Sequence, residues 1–166
     1  MKRILVPNEY TKNICQIDLK GLLEKGIMNI IIDLDNTLLP WDKDTIPDDI
    51  YNWVIRGKDL GCKFCILSNN SKKRIEKFAD KLDIIYVLKA PKPWKSSFKK
   101  AVAVLGGKRD NTVVIGDQIF TDILGGNRLG LYTILVSPLS QREFFITRIV
   151  RLIEGYFLKQ IDMSKG

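Results

Sequence analysis

The chain has 166 residues, is 45% apolar and 28% charged, and carries a formal charge of +8 with no histidine and three cysteines. That length and apolar content fit one ordinary hydrophobic core and exclude a disordered chain, and no apolar run approaches the ~18 residues of a membrane-spanning helix. The missing histidine excludes Ser-His-Asp triads, histidine-ligated zinc and phosphohistidine chemistry; Cys15, Cys62 and Cys65 are too few for a disulfide framework and point to a reduced, cytoplasmic compartment.

Residues 1–28 open with two basic residues, but Pro7, Asn8 and Glu9 follow with no apolar signal core, so export is not expected. Their one apolar segment lies at 19–23. Residues 29–34 read as a buried strand. Pro47 suits a first helical turn, and Ile50, Trp53 and Val54 share one face of the helix it starts. A second strand follows at 63–67. Ser71 is a helix cap, and Ile75, Phe78, Ala79 and Leu82 fall at helical spacing behind it. Residues 84–88 give a third strand. The next helix carries Phe98, Ala101, Val102 and Leu105 and stops at Gly106-Gly107. A strand at 112–115, a helix over 119–129 ending at Gly130, and a strand at 132–136 complete the pattern. Alternating apolar strands and helices predict an α/β fold, a parallel sheet with helices on both faces.

Such sheets bind ligands at the carboxyl ends of their strands. Four successive strand ends here are polar: Asp33-Leu34-Asp35-Asn36-Thr37, Ser68-Asn69-Asn70, Lys92 in Pro91-Lys92-Pro93, and Gly116-Asp117-Gln118. On an extended strand Asp33 and Asp35 would share a face, and Asp117 would add a third carboxylate. Like charges ~4 Å apart repel by about 4 kcal/mol at an effective dielectric of about 20, so the cluster needs protons or a cation. A hard, oxygen-seeking ion such as Mg²⁺ suits it better than zinc. With Lys92 it would draw in a phosphate, to which Ser68 could donate a hydrogen bond. One carboxylate could then attack phosphorus while the other handles the leaving-group proton.

These four segments, with Ile119-Phe120-Thr121-Asp122 after Gln118, resemble in order and placement the motifs of the haloacid dehalogenase (HAD) superfamily of phosphohydrolases. The wider pattern, from Asp33 through Trp41, Leu67-Ser68-Asn69-Asn70 and Lys89-Ala90-Pro91-Lys92-Pro93, resembles the YqeG type of its subclass IIIA, whose relatives include phosphatases of phosphatidylglycerophosphate. The resemblance implies a HAD-like Rossmannoid three-layer sandwich, one domain over 1–166 with its core at about 28–136. It implies Asp33 as the nucleophile that forms an aspartyl-phosphate, and Asp35 as acid/base and Mg²⁺ ligand through its backbone carbonyl. Ser68, Asn69 and Lys92 would hold the phosphoryl group, and Asp33 and Asp117 would ligate Mg²⁺. Thr37 and Asp122 would support that shell, Asp122 by orienting it or Lys92. Asn69 and Gln118 read equally well as turn residues, and Lys89 rivals Lys92.

Residues 38–67 leave room only for a flap, one helix and a strand, and 69–91 are as short, so no cap domain is expected. An open site suits a large phosphorylated substrate: a membrane lipid, a protein, a nucleic acid end, or a small ester enclosed by an oligomer. The basic charge allows each of these. A C-terminal amphipathic helix at about 142–160 sets Phe144, Phe145, Ile149, Leu152, Ile153, Tyr156 and Phe157 beside Arg148, Arg151 and Lys159. It reads as peripheral contact with an anionic membrane at its inner face, as core packing, or as an oligomer contact. Trp41 and Trp94 flank the strand-end face and read as core or flap packing before contact with a substrate's apolar part. Cys62 and Cys65, three apart on a strand, read as core residues on opposite faces. Competing functions are a phospho-accepting signalling domain, against which the motif order argues, and an inactive RNA- or ribosome-binding module on the same scaffold, against which the full set of catalytic residue types argues. There is no P-loop and no cysteine-phosphatase loop.

Overall fold

A computed structural model describes residues 2–140. The C-terminal helix expected at about 142–160 lies outside the described residues. Six strands form one parallel sheet: β1 (Glu9–Thr11), β2 (Asn29–Ile32), β3 (Lys63–Leu67), β4 (Ile85–Val87), β5 (Thr112–Gly116) and β6 (Tyr132–Val136), in the order β1-β6-β5-β2-β3-β4. Among the described residues five α-helices join them: α1 (Leu19–Glu24), α2 (Asp48–Asp59), α3 (Lys72–Leu82), α4 (Lys95–Val104) and α5 (Leu124–Leu129).

The near-continuous apolar strands are buried on both sides, as parallel strands must be when helices cover both faces. Ile30, Ile32, Phe64, Ile66, Val113 and Ile115 pack with Leu22 of α1, Ile50, Trp53 and Val54 of α2, and Ile75 and Phe78 of α3. Ile31, Cys65, Leu67 and Val114 face the other way, onto Phe98 and Ala101 of α4 and Leu129 of α5. Cys62 and Cys65 fall into these two opposite cores, as their spacing requires. The helix starts expected from Pro47 and Ser71 are present, the Ser71 hydroxyl accepting the Arg74 backbone N–H at 3.4 Å.

Two elements differ from the sequence pattern. Strand β1 is short and polar and gives no apolar signal. It is held to β6 by Asn8, whose side-chain oxygen accepts the Thr133 N–H at 2.9 Å while its own N–H donates to the Thr133 carbonyl at 2.9 Å. Residues 119–129 are not one regular helix: Ile119–Ile123 form a π-helical turn that runs into α5.

Register places the site. Ile32 lies opposite both Ile66 and Ile115, so β2, β3 and β5 end at one level. From β2 the chain runs to β3 and β4 on one side, then crosses to β5 and β6 on the other. The crevice at the carboxyl ends of β2 and β5 is therefore the topological switch point, where open α/β sheets bind ligands.

Candidate active site

Asp33 is the first residue past β2, its N–H donating to the Ile115 carbonyl across the switch point. It is buried, and so are Lys92, Asp117 and Asp122. The Lys92 ammonium enters from the turn after β4. It donates to Asp33 Oδ1 and, at 2.6 Å, to Asp122 Oδ1. Lys89, the rival at the sequence level, is exposed. Asn69 holds the Lys92 backbone on both sides, accepting its N–H at 2.8 Å and donating to its carbonyl at 3.3 Å. Its amide thus positions the lysine.

The third carboxylate beside Asp33 and Asp117 is Asp122, in place of Asp35. Carboxylate oxygens of Asp33, Asp117 and Asp122 lie within 4.8 Å of one another. The sequence argument extended the strand period through Asp35, but β2 ends at Ile32 and Asn36 takes a left-handed φ of 63°. The chain turns, and the Asp35 carboxylate lines the cleft with Asp33 but stands outside the three-carboxylate cluster. Its Oδ1 accepts Arg74 Nε at 2.8 Å and its Oδ2 accepts Asn70 Nδ2 at 2.5 Å. Asp122 is turned inward by the π-helical turn and rests over Gly116, where a Cβ would sit 2.3 Å from its carboxyl carbon.

Arg74 is the residue that the sequence reading missed. From the first turn of α3 it pairs with Asp35 and with Asp44 at 3.2 Å. It also donates to the carbonyls of Pro40, Trp41 and Lys43 at 3.5, 3.2 and 3.0 Å. One guanidinium thus fixes the loop after β2 and aims Asp35. Only a basic residue in the turn after Ser71 hinted at it, and the sequence held three in a row.

The electrostatics follow from burial. Asp117 is pushed up to about 8, first by burial and then by Asp33 and Asp122. Asp33 is raised to about 7 by burial, with Lys92 pulling it down and Asp122 raising it. Burial pulls the Lys92 ammonium down, but Asp122 and Asp33 outweigh it, so it stays charged above the usual lysine range.

Three carboxylates face one ammonium, which leaves a surplus of negative charge suited to a divalent cation. Asp122 is less free to ligate one: one oxygen holds Lys92 and the other accepts the Gln118 N–H at 3.2 Å. Asp33 and Asp117 remain, with the Thr37 hydroxyl 3.4 Å from Asp117 Oδ1. The donor set is all oxygen and fits a hard cation.

The cleft above, of about 440 Å³, is lined by Asp33, Asp35, Ser68, Asn69, Asn70, Ser71, Lys92, Gln118 and Thr121. Ser68 Oγ accepts the Asn70 N–H at 3.2 Å, leaving its proton free to donate. Trp41 and Trp94 are not core residues: both are exposed.

Residues 16–130 match the model of the haloacid dehalogenase-like hydrolases. The chain is 40% identical over 161 residues to a probable phosphatase, YqeG, of Bacillus subtilis, covering 97% of this chain and 94% of that protein. It is 27% identical over 175 residues to the chloroplastic/mitochondrial phosphatidylglycerophosphate phosphatase 1 of Arabidopsis thaliana, covering 96% of this chain and 49% of the plant protein, so it spans about half of that relative. Among solved structures, the cobalt-bound deoxy-D-mannose-octulosonate 8-phosphate phosphatase of Haemophilus influenzae superposes with a TM-score of 0.54 at 14% identity, covering 79% of this chain and 91% of that one; this likeness concerns the fold.

Proposed function

The chain belongs to the haloacid dehalogenase-like hydrolases and is a phosphatase of that family, and from this we propose that it cleaves phosphomonoesters through an aspartyl-phosphate on Asp33, with Mg²⁺ held by Asp33, Asp117 and the Asp35 backbone carbonyl. The observation that carries the reading is the buried Asp33–Lys92–Asp122 chain beside Asp117 at the floor of an open polar cleft. When bound, the cation neutralises carboxylate charge and polarises a phosphoryl oxygen.

The chain's own residues do the rest. Lys92 and Ser68 hold phosphoryl oxygens, and the lysine stabilises charge that develops on them. Asp122 and Asn69 keep Lys92 in place, one at its ammonium and one at its backbone. An Asp33 oxygen attacks phosphorus as the P–O bond to the alcohol breaks, and Asp35 gives the departing oxygen its proton. Asp35 then takes a proton from the water that attacks the aspartyl-phosphate, releasing inorganic phosphate and freeing Asp33. Arg74 and Asn70 set the angle of Asp35 for both transfers.

For the substrate, we infer phosphatidylglycerophosphate. The open cleft admits a headgroup without enclosing a tail, and the name of the plant relative supports that class. No helix among the described residues is long and apolar enough to cross a membrane. The basic charge of the chain suits approach to an anionic membrane face.

Purified protein with Mg²⁺ is expected to release phosphate from an activated aryl phosphate, and Asp33→Asn to abolish release. Equal turnover by the variant overturns the Asp33 assignment. Phosphatidylglycerophosphate in vesicles should be preferred over glycerol phosphate and 3′- or 5′-nucleotides; absence of that preference rejects the lipid.

A further inference from the structure

Seven large apolar side chains are exposed among the described residues, and they divide by position. Met28, Leu60 and Val104 lie at the amino end of the sheet, and Ile85 starts the edge strand β4. All four are aliphatic or thioether and 46% exposed or less. The other three, Trp41, Trp94 and Phe120, are aromatic and 64%, 63% and 66% exposed. Each stands on a different connection at the carboxyl end, after β2, β4 and β5, Phe120 within the π-helical turn.

Each of the three is tied to the cleft. Trp94 lies two residues past Lys92, and Phe120 sits between Gln118 and Thr121, all of which line it. The Trp41 carbonyl accepts from Arg74, which also grips Asp35. Positive charge is concentrated around Trp94, whereas Trp41 is followed by the exposed Asp42, Lys43 and Asp44. Residues 89–100 contain Lys89, Lys92, Lys95, Lys99 and Lys100 and no acidic residue, and all of these lysines but Lys92 are exposed. Lys72 and Lys73 are exposed at the start of α3 on the same end. Amphipathic rings beside lysines match the interface of an anionic bilayer, where rings enter the headgroup boundary and ammonium groups meet lipid phosphates. A second copy of the same face would set lysine against lysine.

We propose that the carboxyl-end face docks on an anionic phospholipid surface, with Trp41, Trp94 and Phe120 entering the interface and the exposed Lys72, Lys73, Lys89 and Lys95 around them. The cleft then opens onto the headgroup plane. The face deepens the lipid-phosphomonoester reading above and rests on it for its purpose.

The test is cosedimentation of the full chain with vesicles of phosphatidylglycerol and phosphatidylcholine. Native protein is expected to bind them, weakly in high salt, and to bind pure phosphatidylcholine less. The triple variant Trp41→Ala, Trp94→Ala, Phe120→Ala should lose binding by about 100-fold or more, since binding scales with the apolar area inserted, and should keep native turnover of a soluble aryl phosphate. Unchanged vesicle binding by the variant overturns the proposal. So does a native dimer that the variant abolishes, or single-stranded RNA binding that the same three changes remove.

Brominated lipid gives a measurement that needs no triple variant. It should quench native fluorescence through Trp41 and Trp94, because Trp53 is buried, and the quenching should vanish in Trp41→Phe, Trp94→Phe. Absence of quenching in the native chain refutes insertion. Detergent-dispersed phosphatidylglycerophosphate separates the two readings. If it resists hydrolysis while the aromatics still govern vesicle binding, the substrate falls and the face stands. If it is hydrolysed while the triple variant binds vesicles normally, the face falls and the substrate stands.

Discussion

The two ends of the sheet bury polar groups in opposite ways. At the amino end the groups are neutral and, apart from the buried Asn29 Oδ1, which has no partner, matched. Asn29 Nδ2 donates to Asn111 Oδ1 at 2.9 Å, Asn111 Oδ1 also accepts the Lys108 N–H at 2.7 Å, and the Thr112 hydroxyl donates to the Lys108 carbonyl at 2.6 Å. At the carboxyl end the buried groups include, beside the Thr37 and Ser68 hydroxyls, three carboxylates to one ammonium. Matched neutral groups lose little on burial, whereas a buried charge is costly unless it is paired. Among the described residues, crowded buried charge is found at the switch point, where chemistry can use it.

The largest break in that contrast is Lys92→Met. It leaves Asp33 and Asp122 buried without their cation. Removing one partner of a buried pair costs roughly 3–5 kcal/mol, and loss of a phosphoryl-holding charge should lower kcat/KM by about 10³-fold. Urea unfolding at neutral pH and turnover of an aryl phosphate measure the two. Acid should restore part of the stability, because protonated carboxyls no longer need the ammonium. A variant as stable and active as the native chain would show that the lysine is an ordinary buried group.

Next in size is a pH effect. In the metal-free folded protein Asp117 keeps its proton up to about 8 through burial, whereas the unfolded chain releases it near 3.8. Asp33 acts the same way up to about 7. The folded state therefore holds extra protons between those values, and stability falls as pH rises across the window. Metal-free Tm should drop by several degrees from pH 5 to pH 8, at about 2–4 °C per kcal/mol. Added Mg²⁺ should raise Tm more at pH 8 than at pH 5, because it meets ionised carboxylates. Asp117→Asn should flatten the first trend and weaken the second. A metal-free Tm that climbs with pH would mean the acidic cluster is not strained.

How much of this was legible follows from what each residue depends on. The strand cores and the amphipathic faces of α2 and α3 rest on local periodicity, and they are where the pattern put them. Asp33, Ser68, Lys92 and Asp117 each sit directly past a strand or in the turn behind it, so strand placement alone converges them. Asp35 was misplaced because a period of two holds only while the backbone is extended, and it ends at Ile32. Asp122 was harder to read because its direction comes from a π-helical turn and from the space over Gly116. Strand β1 depends on Asn8 meeting Thr133 across most of the chain. Arg74 was hidden among Lys72 and Lys73, and only tertiary contact separates it from them.

Arg74→Gln sharpens the contrast within the carboxyl end. The variant removes the charge and most of the donors that hold Asp35 and the carbonyls of Pro40, Trp41 and Lys43. Misaiming an acid/base group by a fraction of an ångström lowers kcat by about 10–100-fold, and KM for a small ester should change little because Ser68 and Lys92 are untouched. Arg74→Lys keeps the charge but not the fork and should recover little. A shifted pH profile of kcat would identify positioning through Asp35, while loss of stability with a native profile would reduce Arg74 to a loop anchor.

Asn111→Ala tests the amino end and has the smallest expected effect. It removes the side-chain acceptor of the part-buried hydrogen bond from Asn29 Nδ2 and of the exposed one from the Lys108 N–H, while Asn29 Nδ2 keeps the Asn111 carbonyl at 3.3 Å, so the cost should be about 1 kcal/mol. The sheet lies between this network and the cleft, and the strand register is set by backbone pairing that the variant keeps. Turnover per folded molecule should therefore match the native value while the urea midpoint falls. If kcat drops with the midpoint intact, β2 transmits changes at Asn29 along its length to Asp33, and the two ends are one coupled device.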